Sequence, residues 1–215
     1  MRKLINFIFI LNIALNITLL GGCGPSVSYN ITKNYQNKIP KSIAVLPVRG
    51  EKAESDARHL FRVMAHEKLS QLNYNLLPLE AIDDKLTKAN INRKEFLEKP
   101  PAEMAKLLGV DAVVYVTITN WSTRFLLAYA SIDMEARFDM YAANTGERIW
   151  TAEYGHEESD TSIDKETLKI KITKIYEPMI QKVVDAAFST LPSFPEAKKN
   201  KQEEGPKKKY FEWLQ

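Results

Sequence analysis

Between residues 126 and 140 the chain alternates with almost no fault. Leu126, Ala128, Ala130, Ile132, Met134, Ala136, Phe138 and Met140 share one parity, while Asp133, Glu135, Arg137 and Asp139 take the other. Strand side chains point to opposite faces in turn, so a period of two predicts a strand with one buried and one wet side. The turn residues Asn144-Thr145-Gly146 follow, and residues 147–154 return as the hairpin partner. Residues 111–121 (DAVVYVTITNW) give the strongest strand signal. Residues 42–48 (SIAVLPV) form a short β-branched run closed by Pro47, which predicts a buried strand, and 74–79 predict another.

Helical spacing occupies the intervals. Ala57, Leu60, Phe61, Met64, Ala65, Leu69 and Leu72 recur every three or four positions, with Ser55 as the expected N-cap. Residues 80–88 predict a weaker helix, and 102–108 a short one stopped by Gly109. The polar stretch 90–101, ending in a double proline, predicts a loop. From about Asp160 a last helix carries Leu168, Ile172, Ile175, Met179, Val183 and Ala187 on one stripe, bent or restarted at Pro178. The order of elements predicts an α/β sandwich with a mixed sheet: parallel crossovers first, an antiparallel meander after. The expected division is a leader over 1–22, a tether over 23–41, the α/β domain over 42–192 and a charged tail over 193–215.

The long alternating strand also carries the least ordinary apolar pattern. Fifteen residues at about 3.3 Å each would reach roughly 50 Å, well beyond a usual strand. Trp121, Phe125, Leu127 and Tyr129 add apolar groups on its second face, where residues 133–139 carry charge. This predicts a β-arm that overhangs the sheet and offers a docking surface, with folding back onto its own helices as the alternative.

The amino terminus changes the picture from fold to location. Arg2 and Lys3 precede an apolar run over 4–20 broken by Asn6, Asn12 and Asn16, which suits a signal peptide better than a spanning helix. Leu20-Gly21-Gly22-Cys23 resembles a lipobox, and Cys23 is the only cysteine, so no internal disulfide competes for it. The Cys23 thiolate accepts the diacylglyceryl group, the small residues before it admit the peptidase, and cleavage frees its amine for a further acyl chain. Two or three chains anchor stably where one is marginal. Gly24 rather than Asp follows the cysteine, which by resemblance to the enteric sorting rule implies the outer membrane, facing the periplasm or the cell surface.

Of 30 basic and 27 acidic residues, Arg2 and Lys3 leave with the leader, so the mature chain is nearly neutral. No concentrated basic face argues for nucleic acid. The C-terminal lysines, including Lys207, Lys208 and Lys209, are diluted by Glu203 and Glu204 and read as a solvated tail.

Candidate chemistry is sparse, and no cofactor is expected. The eight glycines form no phosphate loop. His59 and His66 stand seven apart, the wrong interval for a helical metal pair, and His156 is isolated. Glu157, Glu158 and Asp160 read as a solvated loop before a helix. Ser162 and Lys165 match the spacing of penicillin-recognising serine enzymes, but the companion motifs are missing and helix capping accounts for the match better. The pattern is that of a non-enzymatic protein.

Four features together carry a family resemblance: the lipobox, IAVLPV at the start of the domain, AKLLGVDAVVYVTITNW in its middle and EARFDMYAANTGERIW after it. Over roughly 42–190 the chain resembles the small bacterial lipoproteins typified by a neisserial surface antigen. Their fold is similar to the TolB amino-terminal domain and to the periplasmic domain of the curli secretion protein CsgG. The resemblance implies an accessory component of a cell-envelope complex, with a CsgG-like lipoprotein as partner. LpoB-type activators of peptidoglycan synthases share the fold and give the rival reading. No catalytic residue comes with either.

Overall fold

In the computed structural model, residues 26–33, 35–50, 53–126, 129–162, 166–167 and 175–195 are described. Six strands form one mixed sheet: β1 (Ser28–Ile31), β2 (Ser42–Val45), β3 (Asn75–Leu76), β4 (Ala112–Leu126), β5 (Tyr129–Ala142) and β6 (Arg148–Thr161). Their order across the sheet is β1-β6-β5-β4-β2-β3. The pairs β2/β3 and β2/β4 are parallel, and all others antiparallel. Five α-helices accompany them among the described residues: α1 (Ser55–Gln71), α2 (Leu79–Lys88), α3 (Arg93–Glu98), α4 (Pro101–Leu108) and α5 (Tyr176–Phe188). This is the expected α/β sandwich, with parallel crossovers followed by an antiparallel meander.

The sheet separates two cores. On one face α1 and α5 bury their predicted stripes, among them Leu60, Phe61, Met64 and Leu69 of α1 and Met179, Val183 and Ala187 of α5. These meet Val114 and Val116 of β4 and Met134, Ala136, Phe138 and Met140 of β5. Phe188 packs on both Phe138 and Trp150, with ring centroids 5.1 Å apart in each case. The smaller core gathers Ile82, Leu86, Phe96, Met104 and Leu108 from α2, α3 and α4 against Val113 and Tyr115. Arg62 of α1 fastens the two layers together. Its Nε donates to the Val45 carbonyl at 3.1 Å, and its terminal nitrogens reach the Asp83 carboxylate of α2 at 2.9 and 2.8 Å.

Helix ends explain several boundaries. Gly109 terminates α4 in the left-handed region at φ +72°, which costs glycine nothing. Pro178 sits in the first turn of α5, where the missing N–H would have had no helical acceptor. Ser55 is the first residue of α1 rather than its cap; Glu54 holds that position without a side-chain bond. The expected loop over 90–101 contains α3, because Asn92 caps it by accepting from the Glu95 N–H at 3.0 Å.

Three expectations need larger corrections. The folded body starts before Ser42: β1 adds to the edge of β6, so most of the supposed tether is structured. Tyr35 is buried and its hydroxyl lies 2.7 Å from that of Tyr74. The Tyr74 proton goes to the Pro192 carbonyl at 2.6 Å, so Tyr35 donates to Tyr74. Second, the alternating run over 126–140 is no single strand. Leu126 pairs with Tyr129, so the chain reverses there, and β4 extends past Trp121 to form the other arm. Third, β6 continues to Thr161, so Glu157, Glu158 and Asp160 lie in a strand and not in a loop before a helix. The last helix of the described residues begins at Tyr176, apart from a helical pair at Glu166 and Thr167, and Leu168 and Ile172 fall outside those residues.

Candidate functional site

Strands β4, β5 and β6 run 15, 14 and 14 residues. A bulge between Ile118 and Asn120 shifts the register, so Trp121 faces Met134 across the pair and points to the α1/α5 side. There its ring meets Tyr176, and Ala130 is buried under Ile175 and Tyr176. Past this point cover thins out. Phe125 is 43% exposed, Leu126 69% and Tyr129 40%. Phe125 pairs with Ala130 on the helix side, whereas Leu126 and Tyr129 pair with each other on the opposite face.

The predicted docking set therefore divides. Trp121 belongs to the rim of the core, Phe125 and Tyr129 are exposed on opposite faces of the hairpin end, and Leu127 lies outside the described residues. The structure adds Leu126 to the exposed group. Its exposure could not be read from parity, because the reversal after it was hidden.

The edge strand β1 fixes where the amino terminus leaves the body. Ser28 stands opposite Glu153 and Ile31 opposite Trp150, so β1 runs against β6. Followed backwards, the chain heads toward the hairpin end of the sheet, and Val27 still packs on the main core. Cys23 lies outside the described residues, three positions before Ser26.

Charged groups near that end pair locally. Glu158 binds Lys182 and stands 3.2 Å from His156 Nε2. The Lys182 bond is the main cause that holds the Glu158 carboxyl below its usual range, with His156 adding to it. Ile132 opposite Glu158 and Ala130 opposite Asp160 put these two carboxylates on one face, and Asp133 opposite Glu157 puts Glu157 on the other, so the three do not converge. Ser162 is described and half-buried, while Lys165 lies outside the described residues. Among the described residues no group of three His, Cys, Asp or Glu side chains could hold a metal.

A cation–aromatic cluster went unnoticed in the sequence. After β2, Arg49 bridges to Thr117 and lays its guanidinium 3.8 Å above the Tyr115 ring and 5.2 Å from Phe96. Its Nη2 donates to the Phe96 carbonyl at 3.3 Å, while Arg49 Nε and the Tyr115 hydroxyl are buried without a hydrogen-bond partner. A cavity of about 220 Å³ opens beside it, lined by Pro47, Arg49, Leu86, Ile91, Phe96 and Leu97. Residues 49, 96 and 115 are too far apart in sequence for spacing to reveal them. A larger groove of about 460 Å³ runs between residues 37–41 and 142–145. At its edge one Asp111 oxygen accepts from Lys41 N, Ser42 N and Ser42 Oγ, which is the work of tying down the start of β2.

The fold and its long meander define a small α/β domain built on a mixed sheet. The chain belongs to the family described as "Putative lipoprotein GNA1162-like", whose model matches residues 29–198. It is 17% identical over 156 residues to "Putative lipoprotein NMB1124/NMB1162" of Neisseria meningitidis, covering 72% of this chain and 73% of that one. The crystal structure of lipoprotein GNA1162 from Neisseria meningitidis shares the fold, with a TM-score of 0.53 and 18% identity over 65% of this chain and 97% of that one. The LpoB C-terminal domain from Escherichia coli also matches, with a TM-score of 0.37 and 14% identity over 66% of this chain and 93% of that one.

Proposed function

We propose that the protein is lipid-anchored through Cys23 and acts as a non-enzymatic accessory component of a cell-envelope complex. The observation that carries this is one of position. The family match begins at residue 29, six residues after the lipobox cysteine, and β1 begins at Ser28. The domain is thus held against the membrane that carries its anchor, with almost no free tether between them. Such a domain works on what lies at that surface, by contact. Gly24 after the cysteine supports the outer membrane, and a CsgG-like export lipoprotein is the partner the resemblance supports; a peptidoglycan synthase is the rival.

Replacement of Cys23 by Ser tests the anchor: the precursor stays uncleaved and takes up no labelled palmitate. Normal maturation of that variant removes the reading. Crosslinking in intact envelopes followed by pull-down tests the partner. Recovery of a CsgG-like protein supports the export assignment, and recovery of a penicillin-binding synthase replaces it.

A further inference from the structure

The exposed residues at the β4–β5 end lie in the direction from which the lipid anchor arrives, and the distances are decisive. Thr161 is level with Tyr129, which pairs with Leu126, so the last rung of β6 marks the height of the hairpin end. Ser28 is level with Glu153. From Glu153 to Thr161 β6 rises eight residues, about 26 Å at the usual strand spacing. From Ser28 back to Cys23 there are five residues, which span at most about 18 Å when fully extended. The acylated cysteine therefore cannot rise past the hairpin end. With the strands upright and that connection fully extended, the end projects about 8 Å beyond the residue that must sit at the lipid surface, and further for a less extended connection.

We infer that the hairpin end is a membrane foot: Phe125, Leu126 and Tyr129 enter the interface of the bilayer that holds the Cys23 lipid. This deepens the proposed function and rests on its anchor. The depth is the 5–10 Å or so at which apolar groups of interfacial proteins lodge between headgroups and acyl chains. The chemistry of the three residues fits it. They place apolar groups on both faces of the hairpin, which suits a medium that surrounds the end better than a partner that meets one side. Tyr129 brings an aromatic body with a polar tip. Arg124, exposed and one rung back opposite Ser131, stands where its guanidinium meets lipid phosphate. Asp160 shares the rung of Phe125 and Ala130, and Asp133 and Glu157 pair with each other three rungs further back. Their charge opposes any attraction to an acidic lipid surface, so the contact is apolar and does not require anionic lipid.

The single cysteine makes a direct test available, because acylation as a thioether leaves no thiol at Cys23. The full chain carrying Leu126→Cys, and separately Tyr129→Cys, is purified with its lipid, and mass spectrometry verifies acylation. Each variant is labelled with an environment-sensitive fluorophore and reconstituted into vesicles of phosphatidylcholine and phosphatidylethanolamine. The control is Asn144→Cys, in the exposed turn at the other end of β5 and β6. The expected result is a blue-shifted emission at 126 and 129, quenched several-fold more than at 144 by a nitroxide borne near the lipid headgroup. Quenching stays the same when anionic lipid is added or salt is raised. Unquenched labels at 126 and 129 in a chain of acylated mass overturn the inference and leave the anchor standing. Energy transfer between tips of two copies, without lipid quenching, also overturns it and assigns the patch to self-association. A chain of unacylated mass removes the anchor and the inference with it.

Discussion

The indole of Trp121 meets the ring of Tyr176 edge-on, with centroids 5.2 Å apart and planes inclined at 67°. This contact closes the core at the hairpin side. Below it β4 and β5 are covered by α5; above it Ile132 and Ala130 stay buried on the helix side, while Phe125, Leu126 and Tyr129 at the hairpin end are exposed.

Truncation at that contact and beyond it should have unequal consequences. Trp121→Ala removes half-buried aromatic packing and should cost about 2 kcal/mol, less than the 3–5 typical of a fully buried ring. Leu126→Ala should stay within about 0.5 kcal/mol, as surface substitutions do. Urea unfolding of the soluble domain, residues 24–215, compares them. Equal losses at both positions would show the hairpin end to be packed.

How far the sequence revealed this arrangement depended on which physical signal each element used. The stripes of α1 and α5 and the buried parity of β5 were legible, because one-sided burial imposes a period that survives any detail of packing. The reversal between Leu126 and Tyr129 was not. Its two connecting residues, Leu127 and Ala128, are neither Gly, Asn, Asp nor Pro, so alternation ran through the turn unbroken. The bulge before Asn120 moved Trp121 to the helix side, and a bulge leaves no trace in parity until the partner strand is known. At β1 the signal was present but short: Val27, Tyr29 and Ile31 alternate, yet the polar residues around them concealed a strand held by its pairing with β6 and by Val27 and Ile31 against the core. The acidic end of β6 is illegible for a related reason: its strand conformation comes from backbone pairing to β5, and its charged side chains carry no apolar period.

Gly50 should be intolerant of substitution. It has φ +118°, and a Cβ there would lie 2.7 Å from the Ile118 carbonyl oxygen, a backbone atom that cannot swing away. Gly50→Ala should therefore cost about 2–4 kcal/mol, combining left-handed strain with overlap. Gly146→Ala, at φ +67° with its nearest neighbour 3.6 Å away, should cost only about 1–2 kcal/mol. Urea midpoints of the two variants decide the ranking.

His66 should make the domain sensitive to mild acid. Burial is the main cause that pushes its pKa below the ordinary 6.5, and the charge of Arg62 adds to it. In the unfolded chain the imidazole binds its proton more readily, so the stabilising difference is complete above 6.5 and is lost as pH falls from there through the folded value. Unfolding free energy measured at pH 7.5 and 5.5 should fall for the native protein. In His66→Gln that part of the decrease should vanish, and an unchanged slope would place the sensitivity elsewhere.

Arg49 and Tyr115 give the sharpest test of the unannounced cation–aromatic cluster. The guanidinium carbon stands 3.8 Å above the Tyr115 ring, so the attraction acts on the ring face and not on the hydroxyl. That hydroxyl is buried with no partner in good hydrogen-bond geometry, and burial is the main cause that raises its pKa, against the pull of the Arg49 charge and its side-chain nitrogens. A buried polar group without a partner retains its desolvation cost. Tyr115→Phe keeps the ring and deletes the cost, so stability should hold or rise by up to about 1 kcal/mol. Tyr115→Leu removes the ring face and should lose about 2–3 kcal/mol, within the range for removing buried aromatic packing. Arg49→Met in both backgrounds then isolates the pair. It should couple to Tyr115→Leu by about 1 kcal/mol or more, as expected for a desolvated cation over an aromatic face, and hardly at all to Tyr115→Phe. A loss above about 1 kcal/mol in Tyr115→Phe would mean that the hydroxyl is bonded and that the cation acts through it.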